Sequence, residues 1–446
     1  MASKQLHDND ASPQSGDGLG SLIASADRSI VILIFLYPIL LLSIRGAANV
    51  CFAVLLIVVL YRVVRSFFSQ HAFDRVDLNF SAAMISVCVA TVIVQIYHGQ
   101  ISLRPYDGAL RFFYAVPIYL FLRRSTISQI AVLQYSLPLA ALLSPGWLLL
   151  RNPENFGSER ISSYFLNPIH YGNLALMLGF LSLFSINWIG RDRAALILFK
   201  FSGFIGGAFS SLLTGSRGGW IAIPVLMLLG LYNHPSRRLL IGLFLGAAFI
   251  MAPIVATSPI VHKRADVLAR EIAEYKKGDF DTSMGARLQI WRAAIAETWQ
   301  ENPIFGLGPN EFKKRVNTLV EKGMLTRRGA KEGAAELHND LVAGFSSLGL
   351  LGLVSYLAIY LVPLFYFVRA LRSSNQFSHG AARLGLCFVV GFFIFGLTIE
   401  MFNIKVIATF YALMAAIFLA GAQHLYPSGD CKPNAKIPVS GKLRAA

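Results

Sequence analysis

The sequence predicts an all-α integral membrane protein of about twelve transmembrane helices with one helical module outside the membrane. Three observations carry this. Of the 446 residues, 55% are hydrophobic and only 14% charged, against about 25% charged in a soluble domain. Apolar runs long enough to cross roughly 30 Å of hydrocarbon recur along almost the whole chain. One segment of about eighty residues, 257–338, breaks that pattern with mixed polar and apolar sequence.

Residues 1–28, "MASKQLHDNDASPQSGDGLGSLIASADR", are rich in Ser, Asp and Gly. They lack the order of a secretory signal and read as a disordered cytoplasmic tail. Spans one to nine follow within 29–256, at 30–44, 48–64, 80–97, 109–122, 128–150, 171–189, 194–213, 219–233 and 238–256. Spans ten to twelve occupy 339–424, at 341–368, 384–400 and 404–424, and 425–446 forms a second cytoplasmic tail.

Orientation follows from the basic residues, because short cytoplasmic loops retain Lys and Arg. With the N-terminus inside, the inner loops hold Arg62, Arg65, Arg75, Arg123, Arg124, Arg191, Arg193, Arg237, Arg238, Arg369, Arg372 and Arg383. The outer short loops carry fewer: Arg45, Arg104, Arg151, Arg160, Arg217 and Lys405. Part of the net charge of +16 is this inside bias. Cys51, Cys88 and Cys387 lie in or beside spans and Cys431 in the inner tail, so no disulfide framework is visible.

The segment 257–338 falls on the external side and holds about fourteen Lys and Arg. Ser258 and Pro259 form a helix start, followed by the stripe Val261, Ala265, Leu268, Ile272 and Tyr275. Two more stripes follow, Leu288, Trp291, Ile295 and Trp299, then Phe312, Val316, Leu319 and Val320. Such amphipathic helices pack on the ends of the bundle or lie in the lipid interface. The turn "FGLGPN", with Gly306 and Gly308, reads as a tight turn rather than a phosphate loop. Asp279 and Asp281 have a spacing that could hold a divalent metal, but solvated loop acids explain them better.

Four external residues resist a bland explanation. Arg217 sits in "LLTGSRGGWIA", where glycines leave the backbone open around a charge at the membrane edge; a snorkelling anchor is the ordinary alternative. Arg287 lies near a helix start, where backbone N–H groups favour an anion. Arg160 precedes the Asn167-Pro168 pair that opens the sixth span. His338, in "ELHNDL", stands where the module re-enters the bundle, although His98, His170 and His262 are external as well. Arginines pair bidentately with phosphate oxygens, each charge-assisted bond contributing on the order of 1.5–3 kcal/mol. A histidine held neutral in that positive field could act as a general base. The external location excludes ATP as an energy source.

The ordered set "SYFLNPIHYGN", "TGSRGGW", "SMGARLQIW", "FGLGPNEF" and "ELHNDL" resembles the O-antigen ligase and polymerase superfamily of bacterial envelopes, over roughly residues 150–400. The resemblance, closest to the ligases in length, implies a GT-C-like glycosyltransferase with a lipid-linked donor. It would move O-antigen from undecaprenyl diphosphate to lipid A–core on the periplasmic face of the inner membrane. On the matching motifs, Arg217 and Arg287 would bind the donor diphosphate and His338 would be the base, with Asn339 and Asp340 in support. Arg160 is the weaker match, because this chain has Ile169 where the family often has a second Asn. The partners would be donor, acceptor and membrane lipids, with no metal, cofactor or nucleic acid, and transfer would invert the anomeric carbon.

Two rivals remain at this level. An O-antigen polymerase would use a similar donor; losing it leaves single repeats on lipid A–core, whereas losing a ligase leaves polymer on undecaprenyl diphosphate. A transporter or flippase would place ionisable groups near the membrane midplane. Here the spans are nearly free of charge, with Lys200 and Glu400 as exceptions near span ends.

Overall fold

Each of the twelve apolar segments is helical in the computed structural model of the chain, which describes residues 17–66, 73–157, 159–277 and 280–424. The described residues contain no strand. Seven helices are long and apolar enough to cross a membrane on their own: Arg75–His98, Ile127–Arg151, Ala194–Leu213, Arg237–Thr257, Asp340–Ala370, Gln376–Gly396 and Lys405–Ala422. Three shorter apolar helices, Ala47–Val63, Pro168–Phe184 and Arg217–Tyr232, accompany them. The protein is a multi-pass membrane protein. The first helix starts at Asp17 rather than after the expected tail, since "GLGSLIASADR" runs unbroken into the apolar sequence that follows. The remainder of that tail, the tail 425–446 with Cys431, Asp279 and the Tyr275 side chain lie outside the described residues.

Helix ends follow the local chemistry. Asn167 caps Pro168–Phe184 by accepting from the His170 N–H, with proline at the first helical position. Asn339 caps Asp340–Ala370 through the N–H groups of Leu341 and Val342. Lys405–Ala422 is almost wholly buried at the centre, whereas Arg237–Thr257 is peripheral, with Phe249 83% exposed. Small residues bring helices together, as lipid-embedded packing requires: a Cβ on Gly207 would lie 2.3 Å from the Ala175 carbonyl oxygen. At the end of the bundle away from the module, Arg123 and Arg124 are not solvated loop charges. Arg123 pairs with Asp74 and Asp77, each at 2.6 Å, and Arg124 also pairs with Asp77.

The helix read as one span over 341–368 is broken. Gly349 has φ 63° and ψ −152°, a region essentially restricted to glycine. The backbone groups freed there are taken up by the segment 303–307: Leu350 donates to the Pro303 carbonyl at 2.8 Å, and Leu307 donates to that of Ser346 at 2.9 Å. Gly306, at φ 72°, packs against Gly349 so closely that a Cβ would meet the Gly349 nitrogen at 2.4 Å. The Gly-x-Gly turn is therefore a tight turn that docks the module onto the bundle.

The module has its own core of Ile290, Ala293, Ala294, Leu307, Phe312, Val316, Leu319, Leu325, Ala330 and Leu337. The third stripe packs as its periodicity predicts, with Phe312, Val316 and Leu319 buried. The first two do not. Leu268 and Ile272 are exposed, as are Leu288, Ile295 and Trp299, while Ile260 and the small face Ala286, Ile290, Ala293 and Ala294 turn inward. Close helix packing selects the small residues, and the large apolar stripes face outward as interfacial helices do.

Candidate functional site

The turn after Ala194–Leu213 is the first part of the site. Gly215 takes φ 58°, and Ser216 donates its hydroxyl to Asn173 Oδ1 at 2.9 Å. Gly218 and Gly219 let the following turn lie against Thr398 and Asn173. This closely packed backbone leaves Arg217 partly exposed, in a long ion pair of 3.5 Å with Glu271.

Two further arginines cover the same turn. Arg160 donates from Nε to the Thr214 carbonyl at 2.9 Å. A Cβ on Gly215 would stand 3.3 Å from Arg264 Nε and 3.8 Å from Arg160 Cγ, so both side chains lie on that glycine. Arg264 and Glu271 belong to the face of the helix Pro259–Lys276 that includes Ile260, one position round from the apolar stripe Val261–Ile272. The fourth arginine, Arg287, rises near the start of the helix Ser283–Glu301, which Thr282 caps by accepting from the Gly285 N–H at 3.0 Å.

The four guanidinium groups act on one another. Burial, then the charges of Arg264, Arg217 and Arg287, push the Arg160 pKa down to about 10. Burial and Arg217 lower that of Arg264. Arg287 is lowered chiefly by burial, with Glu332 and Glu336 opposing it. These positive side chains stand close together, and the one ion pair among them in the described residues is the long Arg217–Glu271 contact. That is the electrostatic signature of an anion site.

His338 lies just beyond this cluster. It occupies the left-handed region, φ 56°, uncommon outside glycine. The charge beside its ring is a carboxylate: Glu336 Oε1 is 3.5 Å from Nδ1. That distance is too long for a good hydrogen bond, and buried Nδ1 has no hydrogen-bond partner. Glu336 is held by the Glu400 N–H at 2.7 Å, and the Glu400 carboxylate accepts from the Leu337 N–H. The Glu400 carbonyl in turn meets His170 Nε2 at 2.9 Å. Burial raises the Glu336 pKa, but the close approach of the His338 ring, with the charge of His170, brings it below the ordinary value. Burial, reinforced by Glu336, pushes Glu400 up to about 7. The two carboxyls differ in protonation although they touch through the backbone.

The structure thus links Arg160, Arg217 and Arg287, which sequence reasoning singled out, and connects Arg287 through Glu336 to His338. Asn339 and Asp340 serve the backbone. Asn339 is a helix cap, and Asp340 is buried, accepting from Met401 N–H at 2.8 Å, Phe402 N–H at 3.2 Å and Tyr360 hydroxyl at 3.2 Å. Asp281 is engaged by the Thr326 hydroxyl at 2.9 Å. Sequence reasoning passed over Arg264, Glu271 and Glu336, and noted Glu400 and His170 without giving them a role. The signal for Arg264 and Glu271 was their spacing from Ile260 on one helical face. For Glu336 it was the i, i+2 alternation of an extended segment, which puts it on the same side as His338. Glu400 had no such signal, because it comes from a loop 62 residues away.

Comparison with known proteins finds likeness over the same stretch of chain. A family profile described as O-antigen ligase matches residues 201–357, which include Arg217, Arg264, Arg287, Glu336 and His338. An uncharacterized protein of Haemophilus influenzae is 27% identical over 306 residues, 67% of this chain and 75% of the relative. An O-antigen ligase of Escherichia coli is 22% identical over 157 residues, 34% of this chain and 37% of that protein's own length. Through the region that carries Arg217, Arg264, Arg287, Glu336 and His338, the chain is similar to the O-antigen ligase family.

Proposed function

We propose that the protein is an O-antigen ligase that transfers O-antigen polysaccharide from undecaprenyl diphosphate to lipid A–core, on the periplasmic face of the bacterial inner membrane. The reading includes twelve crossings, both tails in the cytoplasm, and the module 257–338 in the periplasm. The observation that carries it is the meeting of four arginines from separate stretches of chain beside the Glu336–His338 pair. Arg217, Arg287 and Arg160, with Arg264, would hold the donor diphosphate. A bound diphosphate would outcompete the 3.5 Å contact of Glu271 for Arg217.

The chemistry is a single displacement without metal. The Glu336 carboxylate beside Nδ1 favours the tautomer protonated there, which leaves the Nε2 lone pair to accept a proton. The acceptor hydroxyl gives its proton to His338 as its oxygen attacks the anomeric carbon from the side opposite the diphosphate. The bond from that carbon to the diphosphate oxygen breaks, and its electron pair leaves with the phosphate. The arginines stabilise the charge that develops, and Glu336 stabilises the imidazolium. The anomeric configuration inverts.

The test is reconstitution of the purified protein with undecaprenyl-diphosphate glycan and lipid A–core. Lipid A–core should gain the mass of the glycan, with or without chelator. His338→Ala should fold normally and lose at least about 10²-fold in rate. Glycan growing on a second undecaprenyl diphosphate, with lipid A–core unchanged, would make the protein a polymerase instead.

A further inference from the structure

A cavity of about 270 Å³ lies against the wall that Glu400 and Leu337 form, and neither His338 nor any of the four arginines lines it. Its lining includes apolar Val87, Ala109 and Leu348 and combines aromatic rings with polar groups. The rings of Phe112 and Phe402 meet edge to face at 5.1 Å, and Tyr356 tilts against Phe402 at 6.0 Å. Ser347, Asn310 and Asn403 supply hydrogen-bonding groups.

The charges around the cavity are unequally satisfied. Lys405 and Asp107 neutralise each other at 2.6 Å. Asp340 accepts three hydrogen bonds from within the protein. Burial keeps much of the Glu400 carboxyl protonated near neutral pH. Lys313 donates to the Ala335 carbonyl at 2.9 Å but has no ion pair among the described residues, and neither has Arg104. Two cations therefore remain for a ligand. Aromatic faces suit the C–H surface of a sugar ring, amide and hydroxyl groups suit its hydroxyls, and Arg104 and Lys313 suit an anionic substituent.

We infer that this cavity binds a phosphorylated sugar of the acceptor, a site distinct from the arginine cluster that takes the donor diphosphate. The inference rests on the ligase reading. The volume, below the ~300–1,000 Å³ of pockets for drug-sized ligands, suits one phosphorylated sugar rather than an oligosaccharide. The wall it shares with the base gives it a role. Leu337 lines the cavity and is hydrogen-bonded to Glu400, while Glu336, held by the Glu400 N–H, stands beside His338. An acceptor anchored here is held against the segment 337–340, whose Leu337 and Asp340 line the cavity and flank His338 in the chain.

The experiment compares the wild type with Arg104→Gln/Lys313→Gln in the reconstituted transfer assay, together with binding of lipid A–core and of enzymatically dephosphorylated lipid A–core to the full chain in detergent. The double variant should raise the acceptor KM about tenfold or more, with donor KM, kcat at saturating acceptor, and melting temperature unchanged. Lys313→Arg should keep wild-type KM. Dephosphorylated acceptor should bind the wild type and the double variant equally weakly. An unchanged acceptor KM in the double variant, with the wild type active, overturns the subsite and leaves the ligase reading standing. Competition by phosphatidylglycerol as strong as that of lipid A–core also overturns it, since the cavity would then hold a phospholipid headgroup. A wild type that transfers nothing removes the ligase reading and this subsite with it.

Discussion

Replacing Glu336 by Gln tests the role of the histidine without removing it. The substitution keeps size and shape, and the Gln carbonyl can still accept from the Glu400 N–H that now meets Glu336 at 2.7 Å. What disappears is one negative charge 3.5 Å from His338 Nδ1. At an effective dielectric of about 20, Coulomb attraction across that distance is about 4–5 kcal/mol, an upper limit. Both side chains are 17% exposed, so solvent screens part of it, and about 1.5–3 kcal/mol is the scale expected of a charge-assisted contact. Because the attraction exists only once the imidazole has taken the proton, it belongs to the transition state. The variant should therefore lose about 10–150-fold in kcat. Donor KM should not rise, since Glu336 also opposes the charge of Arg287 and its loss leaves that guanidinium freer for phosphate. Steady-state transfer with varied donor, alongside thermal melting, separates the cases. Wild-type kcat in Glu336→Gln would refute the base assignment, and a raised donor KM with a lowered melting temperature would reduce Glu336 to a structural residue.

Two further substitutions probe the frame. Gly349→Ala forces a side chain into a glycine-only conformation and places its Cβ 2.3 Å from the Ile304 carbonyl oxygen. The backbone strain alone costs about 1–3 kcal/mol, so the melting temperature should drop clearly, whereas Gly323→Ala, strained in φ but facing open space, should lose less. Glu400 has a folded pKa near 7, raised from 4.5. Its contribution is therefore full below pH 4.5 and is lost as pH rises through about 7, on the order of 3 kcal/mol in all. Melting curves between pH 5 and 8 should show wild-type stability falling more steeply than that of Glu400→Gln, and parallel curves would contradict the shift.

How much of this was legible in the sequence depends on the kind of residue. The helices were, because apolar length and caps such as Asn167 and Asn339 act locally. The break at Gly349 was not, since it is stabilised by carbonyls at 303 and 304 that no local pattern reveals. Amphipathic stripes identify the helices but leave open whether each stripe packs on the bundle or faces the lipid interface, and two of the three turn most of their large apolar residues outward. A soluble rule buries large apolar residues, whereas at a membrane edge Leu268, Ile272 and Trp299 can face outward and small or charged residues turn in. That is why Arg264 escaped notice while Arg217, isolated among glycines, did not. His338 stood out as a polar residue against an apolar run, but its partner Glu336 was visible only once the segment was known to be extended.

The arginine cluster carries a consequence that needs no catalytic assumption. Arg160 and Arg264 lie on Gly215 beside Arg217, and Arg287 is near enough to act on Arg160; with one long ion pair, Arg217–Glu271, among the described residues the four repel one another, and burial of Arg160, Arg264 and Arg287 weakens the screening that would relieve them. Such an arrangement lowers the stability of the unliganded fold, and any anion that bridges the groups restores it. Inorganic diphosphate should therefore stabilise the folded chain by RT ln(1 + [L]/Kd), about 2.7 kcal/mol at a hundredfold excess over Kd. Methylene diphosphonate should act similarly and sulfate less, because one tetrahedral anion cannot span the cluster. Arg264→Gln removes one repulsive charge, so it should raise the melting temperature without ligand and shrink the rise on adding diphosphate. In the transfer assay the same variant should raise the donor KM and leave the acceptor KM alone. If Arg264→Gln responds to diphosphate as the wild type does, Arg264 stands outside the anion site and its contact with Gly215 only packs the turn.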